Sequence, residues 1–274
     1  MSESTGQLRG LKGRRVMVTR PREQLTELAE GLRVRGADVV EAPVIRIEPP
    51  LDKAPLDQAI QRLAEYDWIV FTSANGVRSL RASLRELGKE LREIGQAKLA
   101  VIGPATAATL EAEGLKVDVV PERFIAEEVF AALERFGPLS GCRVLLPRAD
   151  IAREALPNLL RAAGASVDVV VAYRTVSVSE ELANAMQLIS DGKIDVVTFT
   201  SGSTVRSFAS GMKEKVQLRG KFVSASIGPI TSQALREAGL EPVIEAAVYD
   251  VDGLIEAIER YFSGEPASAS PGMA

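Results

Sequence analysis

Phe71-Thr72-Ser73-Ala74-Asn75-Gly76-Val77 is answered 128 residues later by Phe199-Thr200-Ser201-Gly202-Ser203-Thr204-Val205. The agreement extends to Asp67/Asp195 on one side and to Arg78/Arg206 and Ser79/Ser207 on the other. A fixed offset with matched flanks marks an internal duplication. In both copies an apolar run (Trp68-Ile69-Val70-Phe71; Val196-Val197-Thr198-Phe199) gives way to small and hydroxylated residues, then to helical spacing (Val77, Leu80, Leu84; Val205, Phe208). That is strand, turn, helix N-terminus. The first N–H groups of a helix have no partner inside it, so Ser73 and Ser201 either cap those groups or leave them aimed at an anion.

Outward from this unit the chain alternates strands with helices. Arg15 to Thr19 reads as a strand and Arg20-Pro21 as a turn; Leu25, Leu28, Ala29 and Leu32 then form the stripe of a helix that Gly36 ends. Asp38-Val39-Val40 is followed by the alternating Val44-Ile45-Arg46-Ile47-Glu48, an extended edge or linker strand closed by Pro49-Pro50. A helix is expected over Leu56 to Ala64 and a strand over Lys98 to Ile102, running into Gly103-Pro104-Ala105-Thr106 and a further helix. Val117 to Val120 reads as another short strand and Glu127 to Phe136 as a helix. From Arg143 the order repeats. Val144 to Arg148 matches Val16 to Arg20, Val169 to Val178 matches the Val44 strand, and Gly228-Pro229-Ile230-Thr231 matches the Gly103 turn 125 residues on. The chain is thus A-B-C-A′-B′-C′, an α/β fold of open, mostly parallel sheets flanked by helices. Residues 1–13 and 264–274, polar and rich in small residues, read as disordered tails.

Composition narrows the chemistry. A chain of 274 residues with 46% apolar and 26% charged residues has room for two soluble domains. No run approaches a spanning helix, and the polar start lacks the apolar stretch of a secretory signal, so a cytoplasmic protein is expected, with no membrane partner. The single cysteine excludes a disulfide framework, and Cys142, beside Val144-Leu145-Leu146, reads as a small core hydrophobe. Histidine is absent, which removes Ser-His-Asp and Cys-His catalysis, histidine-ligated zinc and imidazole proton shuttles. No metal site is expected. The net charge of −4 without a basic block argues against nucleic acid, while leaving room for a locally positive cleft.

In open α/β sheets ligands sit outside the carboxyl ends of the strands. Three turn types occur there in duplicate: Thr19-Arg20-Pro21 with Pro147-Arg148, Thr72-Ser73 with Thr200-Ser201, and Gly103-Pro104-Ala105-Thr106 with Gly228-Pro229-Ile230-Thr231. Glycine admits a ligand to the backbone, proline suits the first helical position, and Ser or Thr adds a neutral hydrogen bond. Facing one another, two such sets would hold a large polyanion. They could equally be well-capped turns and nothing more. Arg20 and Arg148 suit a carboxylate ligand bidentately, or else surface ion pairs, since Glu23 and Asp150 lie close by. Tyr173 stands where the first copy has Ile45; it either offers a phenol to a cleft or is a half-buried strand tyrosine. No nucleotide-binding glycine fingerprint is present.

Taken in order, Val18-Thr19-Arg20-Pro21, the Phe71–Val77 stretch, Ile102-Gly103-Pro104-Ala105-Thr106-Ala107, Leu146-Pro147-Arg148-Ala149, Tyr173-Arg174-Thr175-Val176 and Ile227-Gly228-Pro229-Ile230-Thr231 resemble the signature blocks of the uroporphyrinogen-III synthase family. The resemblance spans residues 14–262. It implies two similar lobes joined by a two-stranded linker: residues 1–43 with 177–274, residues 50–171, and linker strands over 44–49 and 172–176. It further implies a cofactor-independent, cyclising hydro-lyase of tetrapyrrole (haem) biosynthesis. Linear hydroxymethylbilane would lose water, ring D would invert through a spiro intermediate, and the macrocycle would close as uroporphyrinogen III. The hydroxyls of Ser73, Thr106, Ser201 and Thr231 would line the cleft. Arg20, Thr72, Asn75, Gly103, Arg148, Ser203 and Gly228 complete the expected binding set, and Tyr173 would assist departure of the hydroxyl. Gly202, where the family often has proline, is expected to loosen the second turn and to affect how Ser203 is aimed. A monomer is expected, with the linear tetrapyrrole as partner and a transient contact with the preceding enzyme of the pathway. The alternatives are a non-catalytic two-lobed binding protein for a polyanionic small molecule and a doubly wound nucleotide-sugar enzyme.

Overall fold

The structure, a computed structural model, describes residues 10–212 and 216–264. Tail readings over 1–9 and 265–274 therefore fall outside the described residues. The first copy begins with β1 (Arg15–Val18), α1 (Leu25–Val34), β2 (Asp38–Glu41) and β3 (Ile45–Glu48), followed by α2 (Ala54–Gln61). It continues with β4 (Trp68–Phe71), α3 (Ala74–Glu86), β5 (Lys98–Val101), α4 (Pro104–Glu111) and α5 (Ala126–Phe136). The second copy comprises β6 (Arg143–Ala149), α6 (Ala155–Ala162), β7 (Ser166–Ser177), α7 (Ser179–Ser190), β8 (Val196–Phe199), α8 (Gly202–Gly211), β9 (Val223–Ser226), α9 (Pro229–Glu237), β10 (Ile244–Glu245) and α10 (Val251–Ser263). No helix among the described residues is long and apolar enough to cross a membrane.

Two compact units result. Residues 47–175 form one, and the described residues on either side of that span form the other. The inner unit is built on a sheet of order β3-β7-β6-β4-β5, with the linker strand β3 at its edge beside β7. The outer unit has the order β10-β9-β8-β1-β2. The pairings β7-β6-β4-β5 and β10-β9-β8-β1-β2 are parallel. Parallel strands with helices on both faces must be apolar on both, and Trp68-Ile69-Val70-Phe71 is buried throughout. Alternate residues serve different cores: Ile69 and Phe71 pack with Leu80, Leu84 and Leu110 on one face, Trp68 and Val70 with Val129, Leu133 and Leu160 on the other. The outer unit repeats this arrangement. Met17 and Val197 lie against Phe208 and Met186, while Val16, Val18 and Val196 lie against Leu28, Leu32 and Ile258.

In each unit an A strand pairs with the B strand of the other copy. Val16 sits opposite Val196 in β8, and its duplicate Val144 sits opposite Trp68 in β4. The matched aspartates make these joints: Asp195 Oδ2 accepts the Arg15 N–H at 2.7 Å, and Asp67 Oδ2 accepts the Arg143 N–H at 2.8 Å. The helix following each A strand is closed by a glycine in left-handed conformation, Gly36 (φ 91°) and Gly164 (φ 86°).

Three expectations need correction. Leu11 belongs to the ordered chain, wholly buried in the α1/α10 core, with its N–H on the Arg35 carbonyl at 3.3 Å. A single apolar residue between Gly10 and Gly13 carries too little periodicity to be read from sequence. Val117 to Val120 is not a strand; one bridge joins Val119 to Ala100. Asp118 Oδ2 takes the Leu99 N–H at 2.8 Å, and Pro121 has no N–H to continue the ladder. Cys142 is only partly buried, because Gly141 (φ 80°) turns the chain at the surface just before β6.

The inner unit is continuous in sequence, whereas the outer unit needs β1 from the chain's start as an internal strand. A fragment of residues 44–178 should therefore unfold cooperatively in urea, followed by circular dichroism. A fragment beginning at residue 177, deprived of β1, should show no cooperative transition.

Candidate functional site

Five of the six duplicated turns lie after the carboxyl ends of strands; Pro147-Arg148, read as a turn, instead lies inside β6, where Pro147 pairs with Val170 and Arg148 with Val171. In the inner unit, Thr72 and Ser73 lead from β4 into α3. Ser73 is the N-cap, in extended conformation (φ −167°, ψ 152°), and its Oγ accepts the Gly76 N–H at 3.1 Å. The capping reading is thus realised. The same Oγ also lies 2.8 Å from the Tyr173 hydroxyl. Asn75 stands in the first turn of α3, where its Oδ1 accepts from Arg78 at 3.3 Å. Gly76 permits the close approach of α3 to β6: a Cβ there would come 3.0 Å from the Pro147 carbonyl oxygen.

Tyr173 reaches Ser73 because β7 carries a bulge. Arg148 in β6 pairs with Val171, but the next residue, Ala149, pairs with Tyr173, so Ala172 is the extra residue. Alternation breaks there: Ala172 and Tyr173 are consecutive and both buried, Tyr173 to 7% exposure. A bulge re-aims a side chain in this way. Burial raises the phenol's pKa above its ordinary 10.0, the nearby Asp150 carboxylate adds to the rise, and the Ser73 hydrogen bond opposes it. Tyr173 is a neutral hydroxyl at ordinary pH. Asp150 is fixed beside it, its N–H donating to the Tyr173 carbonyl at 3.0 Å.

Arg148 is buried and engaged with its own loop, donating to the Arg153 carbonyl at 2.9 Å and pairing with Glu154. The ion-pair alternative is the one seen, with Glu154 as the partner in place of Asp150. Gly103 is the N-cap of α4, Pro104 occupies the first helical position, and Thr106 is buried with its N–H on the Gly103 carbonyl at 3.1 Å.

The outer unit repeats the set. Ser201 caps α8 with nearly the backbone angles of Ser73 (φ −165°, ψ 157°), accepting the Thr204 N–H at 3.3 Å. Ser203 Oγ lies 2.9 Å from Ser201 Oγ. With Gly202 as the first helical residue, Ser201 still caps α8, its bond 3.3 Å against 3.1 Å at Ser73, and Ser203 is aimed back at Ser201. Beneath the turn, Thr19 Oγ1 donates to the Thr198 carbonyl at 2.6 Å, joining β1 to β8. Arg20 has a side-chain exposure of 16% and lies 3.9 Å from Glu27 Oε2. Gly228 caps α9, held by Ser226 Oγ, which donates to its carbonyl at 2.9 Å and accepts its N–H at 3.3 Å; Thr231 is buried one turn on.

Within the inner unit the structure brings together Ser73, Tyr173 and Asp150; within the outer unit it brings together Ser201, Ser203 and Thr204. Phe124 and Tyr249 were missed by the sequence reading. Each packs its ring against the glycine of a Gly-Pro turn, and each is 21 residues beyond that glycine, a correspondence the offset of 125 contains.

A family model described as uroporphyrinogen-III synthase HemD matches residues 26–256. A uroporphyrinogen-III synthase of Synechococcus elongatus is 35% identical over 92% of this chain and 96% of its own length. A putative uroporphyrinogen-III synthase of Methanothermobacter thermautotrophicus is 36% identical over 88% and 96%. Among solved structures, a mutant uroporphyrinogen III synthase of Thermus thermophilus superposes with a TM-score of 0.68, covering 92% of this chain and 100% of that one. At 20% identity that likeness speaks for the fold.

Two tests follow from this geometry. Gly76→Ala, whose new methyl meets a backbone carbonyl, should lower stability by about 1–3 kcal/mol in urea unfolding. The pKa of Tyr173 is raised on folding, so its contribution to stability is whole below pH 10.0 and lost as pH climbs through the folded value; Tyr66, raised by burial and by its bond to Asp168, acts in the same direction. Wild-type stability should fall as pH rises above about 10, and Tyr173→Phe should fall less steeply.

Proposed function

Since the chain belongs to the uroporphyrinogen-III synthase family, we propose that it converts a linear tetrapyrrole, hydroxymethylbilane, into uroporphyrinogen III with inversion of ring D. The observation that carries the site assignment is the Ser73–Tyr173 pair at the mouth of β4. Ser73 Oγ already accepts the Gly76 N–H, so its own hydrogen is available to the Tyr173 oxygen. The phenol O–H then points onward to the substrate's departing hydroxyl. A pKa held above the ordinary value suits a group that must stay protonated while it donates.

The chemistry asks little acid–base power of the protein. A pyrrole nitrogen lone pair expels the hydroxyl, giving an azafulvene, and one hydrogen bond to the leaving oxygen eases that step. Attack by the substituted carbon of ring D forms the spiro intermediate; fragmentation and reclosure at the other carbon follow, and loss of a proton completes the net release of one water. The larger task is to hold ring D so that direct closure does not compete, which is catalysis by positioning. The hydroxyl-bearing turns of the inner unit, with Ser73 and Thr106, offer neutral and main-chain donors for the substrate's carboxylates, and the outer unit repeats the same donor types at Ser201, Ser203 and Thr231. Such donors suit a chain of negative net charge.

Incubation with enzymatically generated hydroxymethylbilane should yield the type III isomer after oxidation and chromatography; only type I would overturn the reading. Tyr173→Phe and Ser73→Ala should each slow turnover about tenfold, the worth of roughly one hydrogen bond. The double variant should be barely slower than either, because both changes break one chain of donors. Additive losses would separate Ser73 from Tyr173.

A further inference from the structure

Gly103 and Gly228 stand at the N-caps of α4 and α9 with φ of −174° and 163°, extended values that any residue adopts. Backbone conformation therefore does not require glycine at either position. What requires it is a ring. A Cβ on Gly228 would lie 2.9 Å from Tyr249 Cδ1 and 3.1 Å from Cγ, and a Cβ on Gly103 would lie 3.2 Å from both Cδ1 and Cγ of Phe124. The duplication has kept an aromatic side chain flat against the same turn twice.

The Tyr249 ring is not there to be buried, and Phe124 is buried only in part. Tyr249 is 43% exposed, and the apolar residues around it, Val248 and Ile230, are 59% and 41% exposed. The backbone on either side of Tyr249 is fixed. The Asp250 carboxylate caps α10 by accepting the Gly253 N–H at 2.8 Å, and Gly253 lets the Val248 carbonyl approach so closely that a Cβ would fall 2.2 Å from its oxygen. A half-exposed aromatic ring beside hydroxyl-bearing turns matches a ligand that is apolar in its rings and acidic at their rims.

We propose that Tyr249 is a substrate-contacting platform, receiving the face or edge of a pyrrole ring of the linear tetrapyrrole, and that Phe124 is the corresponding residue of the inner unit. The glycines of the Gly-Pro turns then serve chiefly to seat these rings. This inference rests on the activity proposed above. Aromatic contact of this kind is made with bound substrate and transition state alike, so its loss acts on binding more than on the chemical step.

Tyr249→Ala and Phe124→Ala should each raise KM for hydroxymethylbilane about fivefold while kcat stays within about twofold. Tyr249→Phe should keep the wild-type KM, and Tyr249→Leu, which covers Gly228 without a π-face, should not. Urea midpoints measured on the same samples separate a folding defect from a binding one. A wild-type KM in both Tyr249→Leu and Phe124→Leu would show that the rings merely cover the turns, and would overturn the inference while leaving the activity intact. Wild-type protein yielding only the type I isomer would instead remove the reading on which it rests.

Discussion

The N–H of Arg15 is held by the Asp195 carboxylate and that of Arg143 by Asp67. A hydrogen bond to an ionised group contributes about 1.5–3 kcal/mol, more than a neutral one. These two bonds fix which strand lies beside which. With β1 seated against β8, the turns after both strands come to the same end of one sheet, and Thr19 meets the Thr198 carbonyl beneath them. Seating β6 against β4 does the same in the inner unit, bringing α3 within a methyl group's width of the Pro147 carbonyl and the Tyr173 strand within reach of Ser73. Were each A strand paired with the B strand of its own copy, the chain would form two consecutive domains.

The strands and helix starts were legible in the residues. Short apolar runs and helical spacing located β4, α3 and their copies, and the Ser73 and Ser201 caps followed from residue type alone. The exchange of A strands was not legible from pattern, because alternation tells which face a residue serves and nothing about which strand lies alongside; only the family resemblance supplied it. The bulge that turns Tyr173 inward was hidden for the same reason, since it depends on how Ala149 meets its neighbour. Phe124 and Tyr249 were within reach of the duplication, but the matched stretches end at Thr231, short of a pair that shares aromaticity without identity.

On the proposed reading the site works with neutral groups. Tyr173 is kept protonated by burial and by Asp150, and Arg148, the obvious cation, is engaged with Glu154 and the Arg153 carbonyl. A substrate with many carboxylates could be held too tightly by fixed charges that it must slide past during rearrangement. Under that proposal, hydroxyls and main-chain N–H groups would bind each carboxylate weakly and specify its position, leaving a flexible substrate free to exchange one ring contact for another.

The discontinuity of the outer unit also sets a schedule during synthesis. Val16 leaves the ribosome 180 residues before its partner Val196. At about 5–20 residues per second that interval is roughly 10–40 s, long compared with the folding of a small domain. The inner unit is complete in that time, while β1 and β2, whose Val16, Met17 and Val18 are wholly buried in the finished protein, wait without the strand that covers them. The nascent chain thus carries an unpaired apolar edge for most of its translation, a natural client for a chaperone that binds short extended segments.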